Sequence, residues 1–349
     1  MTKSNRIVYF DVLRVIACFS VILVHSSAPY VIKDFGSFNF WVGNVLDGLG
    51  RTGVTLFVMI SGALMLDQNY KFSTKKIINH IVKMIVFFVF WSIIYCVAFN
   101  IVGRVLIRHE HIDLIKIMGS LIMGHFHLWF VYLIIGLYLI VPLLRLWVND
   151  NNKKYVEYFL VLSIIFSFLL PQIIYIGINY SDLFMALNVI LEKNLCLKYV
   201  GGFTSYFILG WYLNNYEIEN KRIVYLLGVI GLLITIMGTY ILSNTTGRPL
   251  QMYEHLSINV LLQSIAIFVF AKDKLKDKGN DIVIKSISKY GLGIYGIHAL
   301  FIKILSMILL KMNVNNALIN IPIIFVLTLI LSYFSSFILS KIPGLKKVV

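Results

Sequence analysis

Apolar runs of about 20 residues recur along this chain from one end to the other. Wound as a helix, a run of that length matches the roughly 30 Å of hydrocarbon in a bilayer. Hydrocarbon offers the backbone no partners, so each run must satisfy its N–H and C=O groups internally, as a helix does. About ten spans are expected, near 9–29, 44–66, 79–102, 127–147, 155–176, 199–216, 223–243, 254–271, 287–310 and 317–340. The sixth and eighth are the weakest, being short or polar. The stretch 104–124 is amphipathic and reads as a helix lying on the membrane surface. The first run is no cleavable leader: it is too long, holds charges inside it and lacks a small-residue cleavage site. The expected fold is all-α and integral to the membrane, a single polytopic domain over residues 1–349 with no internal repeat.

Composition excludes the soluble classes. Hydrophobic residues make up 59% and charged ones 13%, where a soluble domain carries about 25% charge. The net charge of +15 reflects loop lysines and arginines and gives no reason to expect a nucleic-acid partner. With the N-terminus in the cytoplasm, inside segments hold about twice the Lys and Arg of outside ones. Both termini are then cytoplasmic, as are the basic loops 67–78, 148–154 and 272–286. Cys18, Cys96 and Cys196 form no disulfide or metal pattern.

The first span reads "FDVLRVIACFSVILVHSSAPY" (10–30) and carries Asp11, Arg14 and His25 where hydrocarbon makes each costly. At 100° per residue, Arg14 and His25 share one face, separated by a rise of roughly 16 Å. Asp11 is within ion-pair reach of Arg14. Such a stripe must face the protein interior or a wet cavity. A structural Asp–Arg pair with a hydrogen-bonded His is one reading. The other is an anion held by the cation and a general base deeper in, acting on whatever reaches up from that anion.

An arginine, ten residues and a histidine in the first span resemble the signature of membrane acyltransferase family 3. "RTGVTLFVMISGALML" (51–66), "HLWFVYLIIGLYLIVPLLR" (127–145), "FTSYFILGWYL" (203–213) and "ISKYGLGIYGIHALFI" (287–302) extend the resemblance from about residue 6 to residue 340. The fourth-helix segment is similar to the surface polysaccharide O-acyltransferase branch. The resemblance implies an enzyme of the bacterial plasma membrane that moves an acyl group, acetyl in the first instance, from acyl-coenzyme A to a hydroxyl of a surface glycan or its lipid-linked precursor. No metal is implied. It assigns His25 as the catalytic base or acyl carrier. Arg14 and Asp11 fall at the donor's phosphates, with the pantetheine arm spanning the gap to His25. The family often carries Arg-x-x-Arg at the start of the third helix. This chain reads "HIVK", so His80 and Lys83, with Lys75 and Lys76 before them, take that place. Lys supplies a point charge and not the two-pronged fork of Arg.

On the acceptor side, the candidates are Arg51 in the second span, His127 and Trp129 at the outer start of the fourth, and His298 in the ninth. Trp129 can anchor at the interface or stack on a sugar ring. Glu254 and His255 open the eighth span on the same side. His109, Glu110 and His111 are adjacent in a polar loop and do not aim both imidazoles at one ion. Gly201, Gly202 and the "YGLGIYG" run follow no strand, and read as small residues that let helices approach. A transporter of glycan precursors, or a transport or sensory module, would also have many helices and intramembrane charges.

Overall fold

The computed structural model describes residues 7–32, 34–69, 73–100, 113–190, 198–249, 251–276 and 281–349. Among them there are helices and no strand. In chain order these are α1 (Val8–Ser27), α2 (Phe38–Gly50), α3 (Gly53–Met65), α4 (Thr74–Cys96), α5 (Leu114–Met123), α6 (Trp129–Trp147), α7 (Lys153–Ser163) and α8 (Leu170–Gly177). They continue as α9 (Asp182–Asn188), α10 (Lys198–Asn215), α11 (Lys221–Thr246), α12 (Ile258–Lys274), α13 (Ile282–Lys311) and α14 (Ala317–Leu339). Side-chain caps fix several starts: Ser37 accepts from Phe40, Asp281 from Val283 and Ile284, and Asn316 from Leu318.

Eight helical runs among the described residues are long and apolar enough to cross a membrane. They coincide with eight of the expected spans, and the chain is a multi-pass membrane protein. The second expected span, 44–66, begins earlier and is broken: α2 and α3 together cover 38–65, with Arg51 and Thr52 between them. The fifth is α7 and α8 joined by a π-helical stretch, Ile164–Leu169. Of the amphipathic stretch 104–124, α5 covers 114–123, and 104–112 lie outside the described residues, as do His109, Glu110, His111 and Cys196.

The two weak spans appear as α10 and α12, and their polarity has a physical cause. Both are enclosed by protein, so they need not be apolar all round. Tyr206, Phe207, Ile208 and Trp211 of α10 are wholly buried. α10 runs antiparallel to α3 at backbone contact: a Cβ on Gly62 would strike the Phe207 carbonyl, and one on Gly210 the Met59 carbonyl. In α12, Ser264 bonds Thr55 at 2.6 Å and Gln263 donates to Thr235 at 2.8 Å. Both helices run the length of the bundle. At one end Tyr9 donates to Asn214 (2.7 Å) and Lys272 to the Leu213 carbonyl (2.9 Å). At the other, Phe203 packs on Trp129 at 5.8 Å. By contrast α4, α11 and α14 present Ile78, Val82, Leu226, Leu233, Val326 and Ile330 outward, the pattern of helices that face lipid.

Candidate active site

α1 and α13 pack side by side and form the seam of a passage. Asp11, Arg14, Val21 and His25 line it from α1, and Lys285, Ser288, Lys289, Leu292 and Tyr295 from α13. On both helices these positions recur at three- to four-residue intervals, or multiples of them, so each set occupies one face. Three cavities follow one another along this seam. The first, about 520 Å³ and open, is bounded by Asp11, Arg14, Lys285, Ser288 and Lys289. The second, about 240 Å³, shares Arg14, Ser288 and Lys289 with it and adds Lys83, Ser61 and Tyr138. The third, about 200 Å³, shares Phe130 and Tyr295 with the second and is walled by His25, Arg51, His127, Trp129 and His255.

At the open mouth Arg14 donates to Asp11 at 2.9 Å and Ser288 donates to the same carboxylate oxygen at 2.6 Å. Asp11 is buried, while about a third of the Arg14 side chain stays accessible. Lys83 faces this passage. Lys75 and Lys76 do not: they sit on the exposed first turn of α4, two turns below Lys83. His80 packs edge-on to Tyr138 at 6.1 Å and borders none of the three cavities. Of the basic set expected before and within the third span, only Lys83 is brought to Arg14. Lys285 and Lys289 of α13 take the place of the others. Their signal was present in the sequence as polar residues spaced along one face of an apolar helix, the same pattern as in α1.

At the far end four imidazoles meet. His25 stacks on His298 with ring centres 5.3 Å apart, and His298 meets His127 edge to face at 4.9 Å. His127 Nδ1 lies 3.0 Å from His125 Nδ1, and the His125 ring stacks on Tyr95 at 4.3 Å. Carbonyl oxygens only accept, and this fixes the tautomers. His298 donates from Nδ1 to the Tyr295 carbonyl at 2.7 Å, which leaves a lone pair on Nε2, buried and without a hydrogen-bond partner among the described residues. His127 donates from Nε2 to the Gly296 carbonyl (3.4 Å) and so accepts at Nδ1 from His125. Tyr295 also donates its hydroxyl to the His127 carbonyl. His127, expected at the outer surface, is buried for these reasons. His25 faces the cavity and His298 stands behind it.

Arg51 reaches this chamber because glycines flank it. A Cβ on Gly50 would lie 2.7 Å from the Ser20 carbonyl, and one on Gly53 would lie 2.9 Å from that of Ala17. α1 therefore crosses the α2–α3 break at contact and sets His25 beside Arg51. The guanidinium is paired with buried Asp47, which also accepts from Ser27 at 3.3 Å. It lies 4.0 Å from the Tyr253 ring centre. Trp129 and His255 stack at 5.6 Å across the same wall. Glu254, expected beside His255, turns instead into a neighbouring cavity. Among the described residues no group of three or more His, Cys, Asp or Glu is placed to hold a metal ion.

Residues 7–340 match a family model described as an acyltransferase domain. No curated protein and no solved structure matches the chain. The match spans every helix described above, from α1 through α14, and decides between an enzyme and a transporter in favour of the enzyme. With its many membrane-crossing helices and this passage, the chain belongs to membrane acyltransferase family 3.

Proposed function

We propose that the enzyme moves an acyl group, acetyl in the first instance, from acyl-coenzyme A in the cytoplasm to a hydroxyl of a surface glycan or its lipid-linked precursor at the bacterial plasma membrane. The observation that carries this reading is the run of three cavities along α1 and α13, from the cationic mouth to the imidazole chamber. Phosphates of the coenzyme suit Arg14, Lys285, Lys289 and Lys83 at the mouth. The pantetheine arm then lies along Ser61, Leu292 and Phe130 and brings the thioester to His25. His25 takes the proton of the acceptor hydroxyl, whose oxygen attacks the thioester carbonyl. The carbon–sulfur bond breaks and the coenzyme thiolate leaves, recovering the proton. Of His25 and His298, His25 is favoured because it borders the chamber.

The test uses purified protein with labelled acetyl-coenzyme A and a panel of glycan acceptors. His25→Gln is expected to cut transfer about 10²–10⁴-fold while coenzyme binding stays near wild type. A His25→Gln protein that keeps roughly a tenth or more of its turnover places the chemistry elsewhere, and His298 is then the next residue to replace.

A further inference from the structure

Beside the imidazole chamber lies a larger cavity of about 650 Å³ that the donor passage does not use. One wall is α6, through Tyr132, Leu133, Leu137 and Ile140. The other is the α7–α8 rod, through Ser167, Pro171, Gln172 and Tyr175. The start of α10 and the segment 251–257 close its back. Leu139 on α6 and Leu169 and Ile173 on the rod are exposed, so both walls belong to the lipid-facing surface. Two local features border the cleft. Ile164–Leu169 winds as a π-helix, a geometry found mostly at functional sites. A Cβ on Gly136 would meet no atom within 4 Å.

Polarity is graded along the cleft. Tyr175, Gln251, Glu254 and Ser257 lie at the end of the bundle that holds His25. Leu133, Leu137 and Ile140 lead away from it, over a rise of about 12 Å from Tyr132 to Ile140 at 1.5 Å per residue. A polar end at the membrane surface and an apolar run toward its centre is the arrangement of a lipid in the leaflet on the His25 side. Among the described residues no Lys or Arg lines the cleft and Glu254 does, so a phosphate headgroup is disfavoured there. Amides, a carboxylate and hydroxyls bond sugar hydroxyls, and Tyr132, Tyr175 and Phe203 offer aromatic faces to a sugar ring. Phe203 also packs against Trp129 (5.8 Å) and His255 (6.2 Å), which wall the chamber of His25. The cleft and the chamber are thus separated by one aromatic partition.

We infer that this cleft holds an uncharged glycolipid acceptor, its sugar among Gln251, Glu254 and Ser257 and its apolar chain along α6. The inference rests on the acyl-transfer reading and adds to it the acceptor's class and its route, sideways from the bilayer. The test is photolabelling of the full-length protein in nanodiscs with a diazirine-tailed glucosyl-diacylglycerol, mapped by mass spectrometry. Label is expected on Leu133, Leu137 and Ile140, and is expected to be displaced by unlabelled glucosyl-diacylglycerol. Gly136→Trp, which fills the cleft from its open side, should reduce labelling at least about tenfold while acetyl-coenzyme A binding persists. Glu254→Gln, which keeps the shape, should weaken it less. Equal labelling by a diazirine-tailed phosphatidylglycerol, equal displacement by a polyprenyl phosphate, or labelling that survives Gly136→Trp would each overturn the inference. Acetyl transfer is measured on the same samples. Cleft labelling without transfer to any acceptor sinks the acyl-transfer reading alone, and transfer without cleft labelling sinks the cleft alone.

Discussion

At its Arg14 end the passage is wide and open, and Arg14, Lys83, Lys285 and Lys289 stand around it with Asp11. At its His25 end it narrows to about 200 Å³ among imidazoles and aromatic rings, and the cation there, Arg51, is already paired with buried Asp47. The contrast follows from solvation. Near water a Lys or Arg can stay hydrated and still bind an anion, so charge is placed where a ligand's charge has to be held. Deeper in, an uncompensated charge is expensive, and a neutral imidazole supplies a proton acceptor without that cost. On the proposed acyl-transfer reading, one end binds and the other reacts where water is scarce.

The largest expected effect breaks the far end. Arg51→Ala leaves Asp47 buried and unpaired, which costs about 3–5 kcal/mol. Thermal unfolding in detergent should show this as a large loss of stability, mostly recovered when Asp47→Asn is added. If Arg51→Ala unfolds like wild type but loses acceptor binding, the guanidinium belongs to the ligand and both ends of the passage bind through a cation. The next effect lies at the mouth. Arg14→Ala should weaken acyl-coenzyme A binding by about 1.5–3 kcal/mol, more than tenfold, with insertion unchanged. Arg14→Lys should return part of it, since charge remains and the fork is lost. Full recovery by Asp11→Asn in the Arg14→Ala background would make the pair structural only. The smallest effect marks the boundary of the mouth. Lys75→Ala and Lys76→Ala sit outside the cavities and should change coenzyme binding by no more than about 0.5 kcal/mol. A tenfold loss at either would extend the donor site along α4.

What was legible in the sequence follows from which signals are local. Apolar length marks eight of the runs, because lipid imposes it on every helix it touches. It is weak for α10 and α12, because protein encloses them and Asn214, Asn259, Gln263 and Ser264 find partners there. The Arg14–His25 stripe was readable because both residues lie on one helix, and the structure sets both on the passage. The meeting of His25 with His298 and His127 was not readable as a contact, since it depends on how α1, α13 and the start of α6 pack. The burial of His127 was missed for the same reason: its partners, Gly296 and Tyr295, are 168 to 169 residues away in the chain. The expectation for His80 and Lys83 came from the place of the family's Arg-x-x-Arg, with Lys75 and Lys76 just before it. The spacing of Lys76, His80 and Lys83 fits one helix face, but only Lys83 borders the passage, since Lys75 and Lys76 lie on the exposed first turn and His80 packs on Tyr138. Lys285 and Lys289 carried the better signal, a polar stripe on an apolar helix.

The central claim is that the donor is admitted at the Arg14 end and consumed at the His25 end. Sealed membrane vesicles of known, opposite orientation test it directly, with membrane-impermeant labelled acetyl-coenzyme A outside and acceptor on both faces. Transfer is expected only in vesicles that expose the Arg14, Lys285 and Lys289 face to the donor, and its loss in those vesicles with His25→Gln. Transfer in vesicles that expose the Arg51 and Trp129 face, with the opposite orientation silent, would contradict it.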